Sequence, residues 1–317
     1  MRRVKGILSS KQRACLAASV VAIFWGLSFI GSRKALSAGM ETFSLVAVRF
    51  LVAALALVPI ARAKGASLAI RPRDLVPMTV TALTGITVYY FFELRGLMFT
   101  SASVASLIIA TIPVFSLLAG VILYKKRPPA RTWAGVGLSL LGVYLLAFTD
   151  AGENTAEGCL CLFGACVSWV IYLEVTDRLL KRYSDLAVTF WQSALGFLTS
   201  VPFAAAEDVR WAQIPLDAWL WACVFLGLIC SALCFILNND SVSVLTPQTN
   251  AVFLNLSPVA TVAGEYVVFG QRAEPLQLVG GAVILVSLFM ITRAGRPLEI
   301  RGSVRYNVEN PKGSERE

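Results

Sequence analysis

The chain contains itself twice. Residues 246–290, TPQTNAVFLNLSPVATVAGEYVVFGQRAEPLQLVGGAVILVSLFM, repeat a stretch that begins at Ser101, and a shift of 145 places lays Pro258 on Pro113, Arg272 on Arg127 and Gly280 on Gly135. Further upstream, shifts of 143 and 144 put Pro202 on Pro59, Trp169 on Trp25 and Arg178 on Lys34. A shift that drifts so little over the whole length describes two homologous halves, and self-similarity on that scale restricts the available folds more than any local pattern.

Each half carries five apolar stretches, at about 15–36, 42–62, 75–96, 102–124 and 131–148, then 157–178, 186–205, 218–239, 248–269 and 275–293. Each approaches the length of about 20 residues that an α-helix needs to cross a hydrocarbon core of roughly 30 Å. The chain is 57% hydrophobic and 15% charged, against roughly 25% charged in soluble domains, which is more apolar surface than a soluble core can hide. The sequence therefore predicts an all-α membrane protein of ten transmembrane helices. An odd number of spans per half makes the second half enter the bilayer from the opposite side, so the ten form two inverted five-helix repeats. The expected divisions are a cytoplasmic N-terminus at 1–14, a first repeat at 15–149, a second repeat at 150–293 and a disordered cytoplasmic tail at 294–317. The basic start precedes an apolar run longer than the roughly 7–15 residues of a signal-peptide core, and Trp25 within that run has a repeat counterpart, so it reads as the first span.

Lysine and arginine set the orientation. With the N-terminus in the cytoplasm, Arg2, Arg3, Arg62, Lys64, Lys125 and Lys181, among others, fall inside, while the outer side keeps Arg33, Lys34, Arg95, Arg210 and Arg272. The expected location is the inner, cytoplasmic membrane with both termini cytoplasmic. The net charge of +9 then reports topology and contact with anionic headgroups of the lipid bilayer, with no nucleic acid as partner. Seven cysteines scattered through apolar windows read as packing residues, and the absence of histidine argues against a metal site or a metal cofactor. No Walker, G-x-S-x-G or H-E-x-x-H sequence occurs, so neither ATP-driven pumping nor a familiar catalytic site is expected.

A few polar and aromatic residues stand out against this background. Pro113 and Pro258 break the fourth and ninth spans, each removing a backbone donor and freeing a carbonyl. Asn250, Asn255 and Ser257 make the second break the more polar one and a candidate substrate lining, the alternative being a kink that only shapes packing. Arg49 lies within the second span, where a charge must face the bundle interior or find a partner, and Glu93 and Glu265 are the carboxylates on offer. That group reads as an outer gate, as the anchor of a substrate carboxylate, or as a fixed ion pair. Trp25 and Trp169, related by the repeat, are expected near a shared axis, where with Tyr89 and Tyr172 they would wall a site for an amphipathic solute. Packing or interfacial anchoring is the other use of such aromatics. Gly135, Ser139 and Gly142, matched by Gly280 and Ser287, form small-residue faces for close helix packing or for the seam of a homodimer.

WGLSF at Trp25–Phe29 with Lys34, Arg49 on span two, TSASVASLIIATIPVF at Thr100–Phe115 and GVGLSLLGVYLL at Gly135–Leu146 together resemble the drug/metabolite transporter superfamily, in its EamA-type permease branch. The resemblance covers about residues 15–293. It implies ten helices, cytoplasmic termini and a central cavity between the halves worked by alternating access. It also implies a small-molecule substrate, and members mostly export amino acids and other metabolites. The expected function is export of amino acids or related amphipathic compounds, with import or exchange of nucleoside-type metabolites as the alternative.

Overall fold

The structure, a computed structural model, describes residues 9–125, 129–147, 155–245, 250, 253, 256–270, 272 and 274–294. The elements described are all helical. The first half comprises α1 (Ser10–Ser37), α2 (Thr42–Ala63), α3 (Leu75–Ala82), α4 (Val88–Met98), α5 (Ala102–Ile109), α6 (Ile112–Tyr124) and α7 (Ala130–Ala147). The second comprises α8 (Ala156–Leu179), α9 (Asp185–Ala204), α10 (Leu216–Leu220), α11 (Cys234–Val244), α12 (Ser257–Phe269) and α13 (Pro275–Ala294). Side-chain caps start several of them: the oxygens of Ser9, Ser101, Thr155 and Ser184 accept from backbone N–H groups that the first turn would otherwise leave unpaired. At Ser9 the bond is returned by Gln12, completing a capping box.

Two of the expected spans are wound in an unusual way, and they are repeat counterparts. A π-helical turn, Leu83–Thr87, joins α3 to α4, and a longer π-helical stretch, Trp221–Leu233, joins α10 to α11. The fourth span breaks at Ala110 and Thr111 and restarts as α6, with Pro113 in its first turn. Pro258 stands likewise in the first turn of α12. A proline there forfeits no helical hydrogen bond, because that N–H has no partner in any helix. Among the described residues seven helical stretches are long and apolar enough to cross a membrane, and Pro275–Ser287 is a shorter apolar one.

The halves interlock crosswise. α1 packs on α11, α12 and the long π-helical stretch, while α8 packs on α3, α4, α5 and α6, so each half's first span lies on the other half's third and fourth. The second spans, α2 and α9, lie along each other, as do the fifth, α7 and α13. The small-residue face is used in this last pair, within one chain: a Cβ added at Gly142 would stand 2.7 Å from Ile284 Cγ1 and 2.9 Å from the Gly280 carbonyl oxygen. Gly142→Val is therefore expected to force α7 off α13 at a cost of about 1–3 kcal/mol, the usual range for overpacking. Thermal unfolding in detergent measures it, and an unchanged transition would show that the two helices do not meet at this point.

Candidate functional site

The aromatic residues singled out by the sequence gather where α1, α2, α4, α8 and α11 meet. Trp169, on α8, has Trp25 at 5.3 Å, Tyr89 at 4.8 Å and Tyr172 at 4.5 Å between ring centroids. Phe235, on α11, closes the group at 5.5 Å from Trp25 and 5.7 Å from Phe50. Such offset and edge-on pairs contribute about 0.5–1.5 kcal/mol each beyond the area they bury. The π-helical turns hold the cluster in place. Trp25 Nε1 donates to the Cys230 carbonyl at 3.0 Å, and Ser168, beside Trp169, donates to the Thr84 carbonyl at 2.6 Å. Gly85 supplies the remaining fit, since the Tyr172 ring lies where a Cβ would be.

Arg49 is fully buried beside this cluster. Its guanidinium lies over the Tyr90 ring, 4.3 Å from the centroid, and its Nε donates to Ser231 Oγ at 2.9 Å. A desolvated cation on an aromatic face gains about 2 kcal/mol or more, which offsets part of the cost of its burial. The two terminal nitrogens have no hydrogen-bond partner. Glu93, also buried, follows Tyr89 by one turn of α4 and lies within the electrostatic reach of Arg49. Arg49's counterpart in the second half, Gln192, belongs to a chain of amides. Gln192 donates to Thr176 at 3.0 Å, Asn239 donates to Gln192 at 3.2 Å and to Thr189 at 2.9 Å, and Tyr172 donates to Asn239 at 3.3 Å. Asn250 donates to Asn238 at 2.8 Å. Asn255 lies outside the described residues.

The sequence reading overlooked Ser231, Phe235, Asn238 and Asn239. The last two were within reach: a pair of amides in the otherwise apolar run CFILNND is a polar interruption of a span, and the 145-place shift lays Asn238 on Glu93. Ser231 carried no such signal, because only the packing of the third span's counterpart against α2 turns it toward Arg49.

Of the two carboxylates offered to Arg49, Glu265 meets other groups. Glu265 sits on α12, which packs on α1 and α5, so its carboxylate meets different donors. It accepts from the Ala102 N–H at 3.0 Å and from the Ser103 hydroxyl, and lies 3.5 Å from Arg33. Glu207 makes a similar tie from the second half to the first, accepting from the N–H groups of Phe43 and Ser44 at 2.8 and 2.7 Å. Both ties are at the end of the bundle that holds the α1–α2 turn. At the opposite end of α2, about 33 Å away at 1.5 Å per residue, Asp74 accepts from Arg182 at 2.8 Å and from Tyr183 at 2.6 Å. A cavity of about 470 Å³ beside Arg33, Leu36 and Thr100 opens at the first end, and one of about 350 Å³ beside Val80, Val175 and Arg182 at the other. No residue of the aromatic cluster lines either one.

Apolar helices of spanning length, crossed between two halves and closed around a buried polar centre, define a multi-pass membrane protein. The chain matches the model of the EamA-like transporter family over residues 12–148 and 156–293, and it belongs to that family. Among its relatives is the uncharacterized transporter YcxC of Bacillus subtilis (strain 168), 26% identical over 289 residues that cover 87% of this chain and 91% of the relative. Another, from Streptantibioticus cattleyicolor, is named as a probable terminal-alkyne amino-acid exporter and is 28% identical over 281 residues, 89% of this chain and 94% of the relative. A solved crystal structure aligns with a TM-score of 0.66 and 19% identity over 88% of this chain and 96% of its own, a likeness of fold.

The ties predict a positional result. Glu265→Ala should raise amide hydrogen exchange in residues 101–104 above that in 71–76, and Asp74→Ala should do the reverse, because each change unpairs donors at one end only. Exchange mass spectrometry in detergent reads both, and equal changes at the two ends would contradict the assignment of the ties.

Proposed function

We propose that this chain is a secondary transporter that exports small amphipathic metabolites, amino acids or related compounds, across the cytoplasmic membrane by alternating access. In this reading ten spans form two inverted repeats, 15–149 and 150–293, with the N-terminus and the tail from 294 in the cytoplasm. The solute sits at the aromatic cluster, walled by Trp25, Tyr89, Trp169 and Tyr172, with Asn250 and Asn255 as polar contacts and Pro113 and Pro258 as points of give. The carrying observation is that this cluster draws on both halves and lies between the two end cavities, the place that rocking one half against the other would expose to each side in turn. Glu265 and Asp74 then act as ties that are broken alternately. The relative named as an amino-acid exporter supports the substrate class and the direction. The small-residue face of α7 is already covered by α13, so a homodimer would use another surface.

Ligand-dependent thermal unfolding tests this. A solute that binds only the folded state stabilises it by about 2.7 kcal/mol at a hundredfold excess over Kd. Apolar and aromatic amino acids are expected to raise the transition of the wild type and to lose that effect in Trp169→Ala. Stabilisation by nucleosides alone would replace amino acids with the nucleoside-type alternative.

A further inference from the structure

Two opposite charges are buried at the centre of the protein without being joined. Arg49 is held by Ser231 and by the face of Tyr90, and Glu93 stands one helical turn beyond Tyr89 and Tyr90. No ion pair within 4.0 Å links them among the described residues. If mutual neutralisation were their whole role, direct contact would best recover the cost of desolvating both. Instead the guanidinium presents an edge, Nη1 and Nη2, with no hydrogen-bond partner. Such an edge matches the two oxygens of a carboxylate. Within electrostatic range of Glu93 are Arg49 from α2, Tyr89 and Tyr90 from its own helix, Cys166 from α8 and Cys230 from the long π-helical stretch. Arg49 is the one cation among them.

The repeat adds a second observation. Shifts of 143 and 145 lay Gln192 on Arg49 and Asn238 on Glu93, so the half that lacks the charges holds neutral amides in their places. The near two-fold frame is thus broken by charge at two matched positions. A site charged on one side only accepts its ligand in one orientation.

We infer that Arg49 and Glu93 bracket the solute as a zwitterion, the guanidinium taking its carboxylate and Glu93 its ammonium, while the tyrosine and tryptophan rings take its apolar side chain. This rests on the aromatic cluster being the solute site. With Glu93 ionised, the buried centre has a net charge of zero whether it is empty or loaded with a zwitterion. A simple carboxylate would leave Glu93 without a cation, and a simple amine would leave Arg49 without an anion, and an uncompensated buried charge is strongly disfavoured. Arg49 and Glu93 therefore set specificity for the α-amino-acid group as a whole, where the rings alone would accept any apolar body.

The test uses three probes of one shape: phenylalanine, 3-phenylpropanoate, which lacks the ammonium, and 2-phenylethylamine, which lacks the carboxylate. Apparent affinities come from thermal unfolding of the full chain in detergent. The wild type should favour phenylalanine over either analogue by about tenfold or more, the order of effect of a charged hydrogen bond. The isosteric Glu93→Gln should move the preference to 3-phenylpropanoate, and Arg49→Gln should move it to 2-phenylethylamine. If Arg49→Gln does not fold, Glu93→Gln decides alone. Phenylalanine binding with the same order of probes in Glu93→Gln overturns the bracket and leaves the transport reading intact. No stabilisation of the wild type by any of the three overturns the bracket and the amino-acid reading together.

Discussion

In a hydrocarbon surround a polar group finds its partner inside the protein or goes without, and the whole architecture turns on where those partners come from. Here they come repeatedly from the other half of the chain. The carbonyls near the two π-helical segments are met by Trp25 and Ser168, each reaching across the repeat boundary. The first N–H groups of α2 and α5 are met by Glu207 and Glu265 of the second half. Neither half satisfies these groups alone, so the two must interlock, and the interlocking brings the conspicuous aromatics to one place.

The same constraint explains why the centre is aromatic and amide-rich. A cation such as Arg49 is tolerable there because a ring face and a hydroxyl replace part of its hydration. The amides of Gln192 and Asn239 are tolerable because the oxygen and the nitrogen of each find partners, while Asn238 is met at its oxygen only. Ties at the two ends of α2 are built on carboxylates that reach the opposite half, whereas the centre is held by rings and amides.

Much of this was legible before any coordinates. The repeat is visible as a near-constant shift, and hydropathy placed spans at 15–36 and 42–62 where helices run Ser10–Ser37 and Thr42–Ala63. The meeting of Trp25 with Trp169 also followed from the repeat, since symmetry-related residues near an axis approach one another. What stayed open was the choice between Glu93 and Glu265 as the carboxylate near Arg49. Depth along a span says how far into the bilayer a residue sits, not which way round the helix it points, and Glu265 points at α5 and Arg33.

The sequence by itself determined the class of protein, because length and apolarity of a span are one-dimensional properties that the bilayer reads directly. It also determined the two-half plan, because duplication leaves its record in residue order. Only the tertiary structure decided which side chains meet: that Ser231 holds Arg49, that Asn238 and Asn239 complete the polar core, and that Glu265 caps a helix of the opposite half. These pairings join residues some 12 to 182 places apart in the chain, and their choice depends on helix rotation and crossing. Those are set by the fit of all the packed surfaces at once, so no local stretch of sequence encodes them.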